Sequence, residues 1–376
     1  MKICFVINEF NFFKTHRLDL CISLSQLHEI TIVTDAVNAS GEDLNMLSPY
    51  QIKIIHLNQR SGSLNFYSYF LYITKLGKIL KKENPKRIFF VTLETSLVGL
   101  LLKLFYQNFN MLLLVTGLGP FQKKVKGKKK IFWNLVKALS KLNSKKEGVH
   151  FVFQNLEDQK KFLDSNIVTK SSSSIISGNG INRKKFFSKG KFNIDENNLK
   201  FLMVGNLLKS KGIEEYLHAS RKIKIKYPTV EFNLAGKYLP SNFDSISKEK
   251  FDEICNSRVV NYLGSIEHDE IQDIYNQSTI FVLPSYGEGL PKSALEAASM
   301  GMPLIMSNVA GCRECIINNR NGLLVKRENP DALFLAMESF IKNRNLINSM
   351  GKESIALVEE RFSLTVISKQ YQDLIS

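Results

Sequence analysis

The chain has 376 residues, 44% of them hydrophobic and 10% aromatic, and a formal net charge of +16. The length exceeds one ordinary core and predicts two domains of globular composition. Five Cys, an odd number, make no disulfide framework and predict a reducing, cytoplasmic setting. The positive excess attracts polyanions, whether nucleic acid, anionic lipid or phosphorylated substrates. No zinc finger, RNP motif or Gly-rich RNA loop is present, which argues against nucleic acid.

Lys2 to Ile7 reads as a buried strand, too short and too soon followed by Asn8, Glu9 and Asn11 for a signal peptide. A loop is expected over Asn8 to Thr15, then a helix from near His16 past Leu27. Strands follow at Glu29 to Thr34, Gln51 to His56, Arg87 to Val91, Met111 to Val115, His150 to Phe153 and Ser173 to Ile176. Helices are expected between them, at Phe66 to Lys82, Ser96 to Tyr106, Ile131 to Leu142 and Leu156 to Leu163. The apolar stretch Leu97 to Leu118 is broken by Lys103, Gln107, Asn108 and Asn110, so it reads as helix then strand rather than a membrane span. The expectation is a soluble or peripheral protein.

Gly178 to Asn198 lapses into Gly, Lys, Asn and Ser and reads as a linker. The pattern then restarts. Strands are expected at Leu199 to Val204, Val230 to Ala235, Val259 to Leu263, Ile280 to Leu283, Leu304 to Met306 and Gly322 to Val325. Intervening helices include Gly212 to Tyr227, His268 to Gln277 and Gly311 to Asn318, and helices Pro330 to Asn343, Leu346 to Phe362 and Leu364 to Leu374 close the chain. Alternation at this spacing predicts an α/β protein with two Rossmann-like domains facing a cleft. The expected boundaries are 1–180, 181–356 and a C-terminal helix, 357–376, packing back on the first domain.

The densest chemistry lies in Pro284-Ser285-Tyr286-Gly287-Glu288-Gly289-Leu290-Pro291, between a buried strand and a helix that carries Glu296 and ends at Gly301. Pro suits the start of a helix and Gly its end. The backbone of this turn and the positive helix end can meet a phosphate, with carboxylates on either side. A second strand-to-helix turn, Gly205 to Gly212, offers Lys211 to a diphosphate, although a Lys-rich solvent loop has the same appearance. The P-loop, D-x-D, H-E-x-x-H and G-x-S-x-G patterns are absent, so metal ions and serine hydrolysis gain no support. Cys312 and Cys315, a lone C-x-x-C, read as structural. His16 and Arg17 follow the first strand's loop at the edge where a cleft would lie, but a lone His near a helix start is more often structural. Lys123, Lys124, Lys126, Lys128, Lys129 and Lys130 precede Ile131, Phe132, Trp133, Leu135 and Val136. This combination suits an anionic membrane surface or, equally, a solvated loop and a core-facing helix.

FVLPSYGEGLPKSALEA, MGMPLI and GCRE resemble the donor-site signature of glycosyltransferase family 4, retaining enzymes of the GT-B architecture. VGNLLKSKGI is similar to the family's second signature, SGNGINRKKF to its hinge, and YLGSIEHDEIQDIYNQSTIFVLPS to the segment between the signatures. FFKTHRLDL resembles the N-terminal loop of members acting in bacterial surface-polysaccharide and glycan assembly. The resemblance implies that Glu288 binds the donor sugar's hydroxyls and Glu296 the ribose. Gly289, Leu290 and Pro291 would present backbone to sugar and phosphates, Lys211 would hold the diphosphate as it leaves, and the backbone near Ile266 would meet the base. Two positions depart from the family. Asn206 stands where an arginine is expected, leaving Lys209 or Arg183 as possible substitutes. Thr116 stands where many members place a histidine, before Gly117-Leu118-Gly119.

The implied function is transfer, with retention, of a hexose or N-acetylhexosamine from a nucleotide sugar, UDP-linked by expectation. The acceptor would be a glycan, polyprenyl-diphosphate-linked, entering near His16, Arg17, Thr116, Gly117 and Gly119. The product would belong to a polysaccharide, O-antigen, capsule or glycoprotein glycan. Lys211 and Glu288 are the expected catalytic residues, with no metal and no cofactor besides the nucleotide-sugar substrate. The expected location is peripheral, on the cytoplasmic face of the inner membrane. Two alternatives remain at this point: a non-catalytic nucleotide-sugar-binding subunit of a transferase complex, and a UDP-sugar 2-epimerase of the same architecture.

Overall fold

In the computed structural model, residues 1–36, 40–41, 45–57, 66–118, 127–187 and 199–376 are described. Gly119, Lys123, Lys124, Lys126 and most of the expected linker lie outside them. The chain forms two compact units, one of Met1–Gly180 with Leu364–Ser376 and one of Ile181–Ser363.

The first unit runs β1 (Lys2–Glu9), α1 (Phe10–His16), α2 (Leu18–Ser25), β2 (Glu29–Asp35), β3 (Lys53–His56), α3 (Phe66–Glu83), β4 (Arg87–Val91), α4 (Leu93–Phe105), β5 (Met111–Val115), α5 (Gly127–Asn143), β6 (Val149–Phe153), α6 (Leu156–Asp164) and β7 (Ser173–Ile175). Its sheet has the order β3-β2-β1-β4-β5-β6-β7 and pairs parallel throughout. Near-continuous apolar runs such as MLLLV in β5 are buried because helices cover both faces of such a sheet.

The loop expected over Asn8 to Thr15 is instead the end of β1 followed by a helix. Phe10 and Phe13, three residues apart on α1, both turn into the core with ring centroids 5.7 Å apart. One helical turn is too short for that spacing to stand out in sequence. Lys103 is only 2% exposed. Its ammonium donates to the carbonyls of Gln107 and Phe109 at 2.5 and 2.8 Å, closing the end of α4. Among the described residues no helix is long and apolar enough to cross a membrane.

The second unit runs β8 (Lys200–Val204), α7 (Ile213–Lys226), β9 (Glu231–Ala235), α8 (Lys248–Cys255), β10 (Asn261–Gly264), α9 (Ile271–Asn276), β11 (Ile280–Leu283), α10 (Lys292–Ser299), β12 (Leu304–Ser307), α11 (Ala310–Cys315), β13 (Gly322–Val325), α12 (Pro330–Lys342) and α13 (Asn345–Leu357). The order β10-β9-β8-β11-β12-β13 is again parallel. The crossovers diverge on either side of β8 and β11, so the switch point where α/β sheets bind ligands lies between these two strands. Cys312 and Cys315 are buried on α11 as free thiols, and burial raises both pKa values well above the ordinary range. The C-x-x-C is therefore packing, with the Cys315 thiol set against the Gly311 carbonyl at 3.5 Å.

The return to the first unit comes at Leu364, not at residue 357. After α13 a π-helical turn, Val358–Phe362, continues the second unit and buries Val358 and Phe362 in its core. The last helix, α14 (Leu364–Ile375), then buries Ile367, Tyr371 and Ile375 with Phe5 and Phe89 of the first unit. Tyr371 meets Phe89 edge-on, with centroids 5.9 Å apart.

Candidate functional site

The second unit builds its site from two turns at the C-terminal ends of β8 and β11. After β8 the backbone makes a single 3₁₀ turn, Lys209–Lys211, and passes through Gly212 in the left-handed region at φ 76° before α7. A Cβ on Gly212 would lie 2.2 Å from the carbonyl oxygen of Pro284, so only glycine lets the two turns approach this closely. Tyr286 N–H donates to the Ser210 carbonyl at 2.7 Å, and Ser285 Oγ donates to the same oxygen at 3.1 Å. Ser293, in the first turn of α10, reaches back to the Val204 carbonyl at 3.3 Å.

These contacts bring Lys211 and Glu288 together. Lys211 Nζ donates to Glu288 Oε1 at 2.7 Å, with the side chains 26% and 11% exposed. The Glu288 loop is fixed from below by α11. Gly311 N–H donates to the Glu288 carbonyl at 3.2 Å, and a Cβ on Gly311 would come within 2.4 Å of the Gly289 carbonyl oxygen. Pro291 is the N-cap of α10 rather than its first residue. Glu288, Gly289 and Leu290 are half-buried and Pro291 is buried.

Glu296 lies on α10 and is 4% exposed. The Tyr275 hydroxyl donates to its Oε2 at 3.1 Å. Lys292 Nζ is 3.4 Å and His268 Nδ1 3.9 Å from its Oε1. Burial raises the Glu296 pKa against the lowering effects of Lys292 and Tyr275. The result is a buried carboxylate held by the Tyr275 hydroxyl at one oxygen and faced by Lys292 and His268 at the other. Ile266 is half-buried beyond the end of β10 and packs on the unit's core. Asn206 is exposed on the β8 turn, as is Lys209.

Arg183 does not supply the cation missing at Asn206. Its Nη1 lies 2.5 Å from the Ser299 carbonyl and 3.0 Å from Ser299 Oγ, and its Nη2 pairs with Glu359 at 2.8 Å. That guanidinium joins the start of the unit to the end of α10. Ser210, Tyr275, His268, Lys292 and Gly311 are supporting residues that sequence reasoning had not singled out. Lys292 and Glu296 were visible as an i, i+4 pair.

In the first unit, His16 ends α1 half-buried, stacked on Phe12 with ring centroids 4.4 Å apart and with Nδ1 2.6 Å from Thr15 Oγ1. Arg17, placed on the acceptor side by sequence, is enclosed at 1% exposure, and its Nη1 donates to the Tyr371 hydroxyl at 3.2 Å. It ties the start of α2 to α14 and is a structural group rather than a surface one. Thr116 and Gly117 are half-buried after β5, with Gly117 at φ 135°. Leu118 N–H donates to buried Asp158 at 3.2 Å, which fixes where this loop leaves the sheet. Among the described residues no group of three or more His, Cys, Asp or Glu is arranged to hold a metal ion.

Two parallel-sheet α/β units, each with helices on its sheet, define the GT-B class of fold. Residues 184–356, most of the second unit, match the family described as Glycosyl transferases group 1. An N,N'-diacetylbacillosaminyl-diphospho-undecaprenol alpha-1,3-N-acetylgalactosaminyltransferase of Campylobacter jejuni is 28% identical over 334 residues, 86% of this chain and 85% of that protein. The capsular polysaccharide biosynthesis glycosyltransferase CapM of Staphylococcus aureus is 23% identical over 353 residues, 90% of this chain and 88% of that one. Among solved structures, Anabaena HepE in complex with UDP and glucose has a TM-score of 0.79 at 17% identity, covering 100% of this chain and 99% of that one. Family match and relatives agree on one class of protein, a glycosyltransferase.

Proposed function

We propose that the chain is a retaining glycosyltransferase of family 4 that transfers a hexose or N-acetylhexosamine from a UDP-sugar to a polyprenyl-diphosphate-linked glycan. The observation that carries this reading is the Lys211–Glu288 pair, set across the switch point between β8 and β11. Glu296 extends the site along α10. A nucleoside diphosphate sugar needs a cation at its phosphates, acceptors at its hydroxyls and a carboxylate at its ribose, and these residues supply all three. The Glu296 carboxylate, an acceptor at the α10 end of the site, suits a ribose hydroxyl. The diphosphate would take Lys211 from Glu288, freeing that carboxylate for the sugar.

In the reaction the bond from C1 to the diphosphate oxygen breaks, and a bond from C1 to the acceptor oxygen forms on the same face. The acceptor's proton passes to the departing phosphate oxygen. Lys211 and the N-terminus of α10 stabilise the charge that develops on the leaving group without requiring a metal. The two bacterial relatives named for a diphospho-undecaprenol substrate and for capsule synthesis support the lipid-linked acceptor and a role in surface-polysaccharide or glycoprotein glycan assembly. His16, Thr116, Gly117 and Gly119 are the proposed acceptor-side residues. A protein of this kind would work at the cytoplasmic face of the inner membrane.

The test is UDP release from a panel of UDP-sugars in the presence of membrane lipid extract. Lys211→Ala and Glu288→Ala should each lower the rate at least about 100-fold with the fold intact by circular dichroism. A chelator should leave the wild-type rate unchanged. Full turnover by either variant sinks the assignment. Exposed, uncharged Asn206 favours the alternative of a non-catalytic nucleotide-sugar-binding subunit, which would bind UDP-sugar and release no UDP. A 2-epimerase would instead convert the donor without any acceptor.

A further inference from the structure

The stretch between β9 and α8 has no place in the donor reading, and nothing in its composition marks it. It nevertheless wraps the turn that carries Lys211. Ile246 N–H donates to the Leu207 carbonyl at 3.2 Å, and Lys209 N–H donates to the Asp244 carbonyl at 2.7 Å. Leu208 and Ser245 form an isolated antiparallel bridge. The Asp244 carboxylate then caps the turn from its side. Its Oδ2 accepts from Ser210 N–H at 3.3 Å and from the Ser210 hydroxyl. Asp244 is itself braced, its N–H donating to Asn242 Oδ1 at 2.9 Å.

Ser210 therefore stands between two partners. Its N–H and hydroxyl are taken by Asp244, while its carbonyl accepts from Tyr286 N–H and Ser285 Oγ of the opposite turn. Lys211 is the next residue. A lysine stem has four rotatable bonds and no intrinsic preference for one geometry, so the direction of its ammonium depends on how firmly its backbone is held. Hydrogen bonds to a carboxylate are about twice as strong as neutral ones, and this one acts on the single 3₁₀ turn at the residue next to Lys211.

We propose that Asp244 is a positioning residue for the leaving group. It holds the 209–211 turn through Ser210, so that Lys211 points at the outer phosphate of the nucleoside diphosphate. The inference rests on the reading of Lys211 as the diphosphate contact. It assigns Asp244 no contact with the donor.

The test is binding of UDP and of UMP, measured by calorimetry on the full chain. Wild type should prefer UDP, and Lys211→Ala should lose that preference. Asp244→Ala should weaken UDP roughly tenfold or more, the size of a hydrogen bond to a charged group, while UMP binding stays within about twofold. Asp244→Asn, whose amide oxygen still accepts from Ser210, should bind UDP nearly as wild type does. In a Lys211→Ala background, Asp244→Ala should cost nothing further. Equal weakening of UDP and UMP by Asp244→Ala, or additive loss in the Lys211→Ala background, would mark a merely structural residue and overturn the proposal. If UDP binding depends on Lys211 but is indifferent to Asp244→Ala, this inference falls while the donor reading stands. If wild type binds neither nucleotide, both fall together.

Discussion

Gly311 shows how much of the site is backbone. Its N–H holds the Glu288 carbonyl, and the space where its side chain would be is filled by the Gly289 carbonyl. Gly311→Ala places a methyl group against a main-chain oxygen that no rotamer change can move aside. The Glu288 loop must shift by several tenths of an ångström, enough to misalign a contact made in the transition state. Transfer is expected to fall about tenfold or more while the thermal midpoint changes by only a few degrees. Steady-state kinetics beside a melting curve will check this, and an unchanged kcat would show that the loop tolerates the displacement. The turn that carries Glu288 and the helix that carries Glu296 were legible as a buried strand followed by a helix start, whereas Lys211 looked as much like a solvent loop and was singled out through the family resemblance. Asp244 and Ser210 were not, since their significance comes from a contact 34 positions apart in the chain. Arg17 was expected on the acceptor side and Arg183 was one of two possible substitutes for the missing cation, and both are engaged elsewhere for a related reason. A charged residue near a sheet edge looks available in sequence, whereas in the fold the Tyr371 hydroxyl engages one and Ser299 and Glu359 the other.

Among elements, α7 and α12 are joined through one carboxylate. Glu338 accepts from Lys226 at 2.6 Å, from Lys342 at 2.8 Å and from the Tyr227 hydroxyl at 3.2 Å. These partners, Lys226 first, lower the Glu338 pKa from 4.5 to about 2. The folded value lies below the unfolded one, so the carboxylate's stabilising contribution is complete above pH 4.5 and disappears as pH falls toward 2. Glu338→Gln should therefore lower stability to urea at pH 7 and converge with wild type near pH 2. A constant difference between the two proteins at all pH values would rule out this role. Strands such as β5 and β11 were readable as apolar runs bounded by polar residues, because burial on both faces removes the need for alternation. The start of α1 was not, since two inward phenylalanines make one turn and no period.

For the whole molecule, the fold and the charge bear on where it works. The exposed apolar residues of α5 are Ile131, Leu135 and Leu142, at 70%, 42% and 57% exposure, with Lys130 and Lys141 exposed alongside. Trp133, which the sequence left equally open to a membrane surface or a core-facing helix, is half-buried and meets Phe162 edge-on at 5.8 Å. The lipid-facing candidates are therefore the aliphatic stripe and its lysines, not the aromatic. Binding to anionic liposomes should weaken with salt. It should also weaken when Lys130 and Lys141 are replaced by Gln, at about 1 kcal/mol per charge. Leu135→Gln should reduce what remains at high salt, and identical binding by all variants would remove α5 from the membrane surface.

The position of α14 bears on how the molecule is made. The first unit places Ile367, Tyr371 and Ile375 in the same core as β1, yet these residues are synthesised after the whole of the second unit. The second unit is one unbroken stretch of chain, while the first is split around it. On the ribosome the N-terminal domain usually finishes first, but here its core cannot be complete before α14 has emerged. The second sheet can complete its core while the first still exposes the groove that α14 will fill, and Arg17 waits for its tyrosine until the rest of the chain has been made.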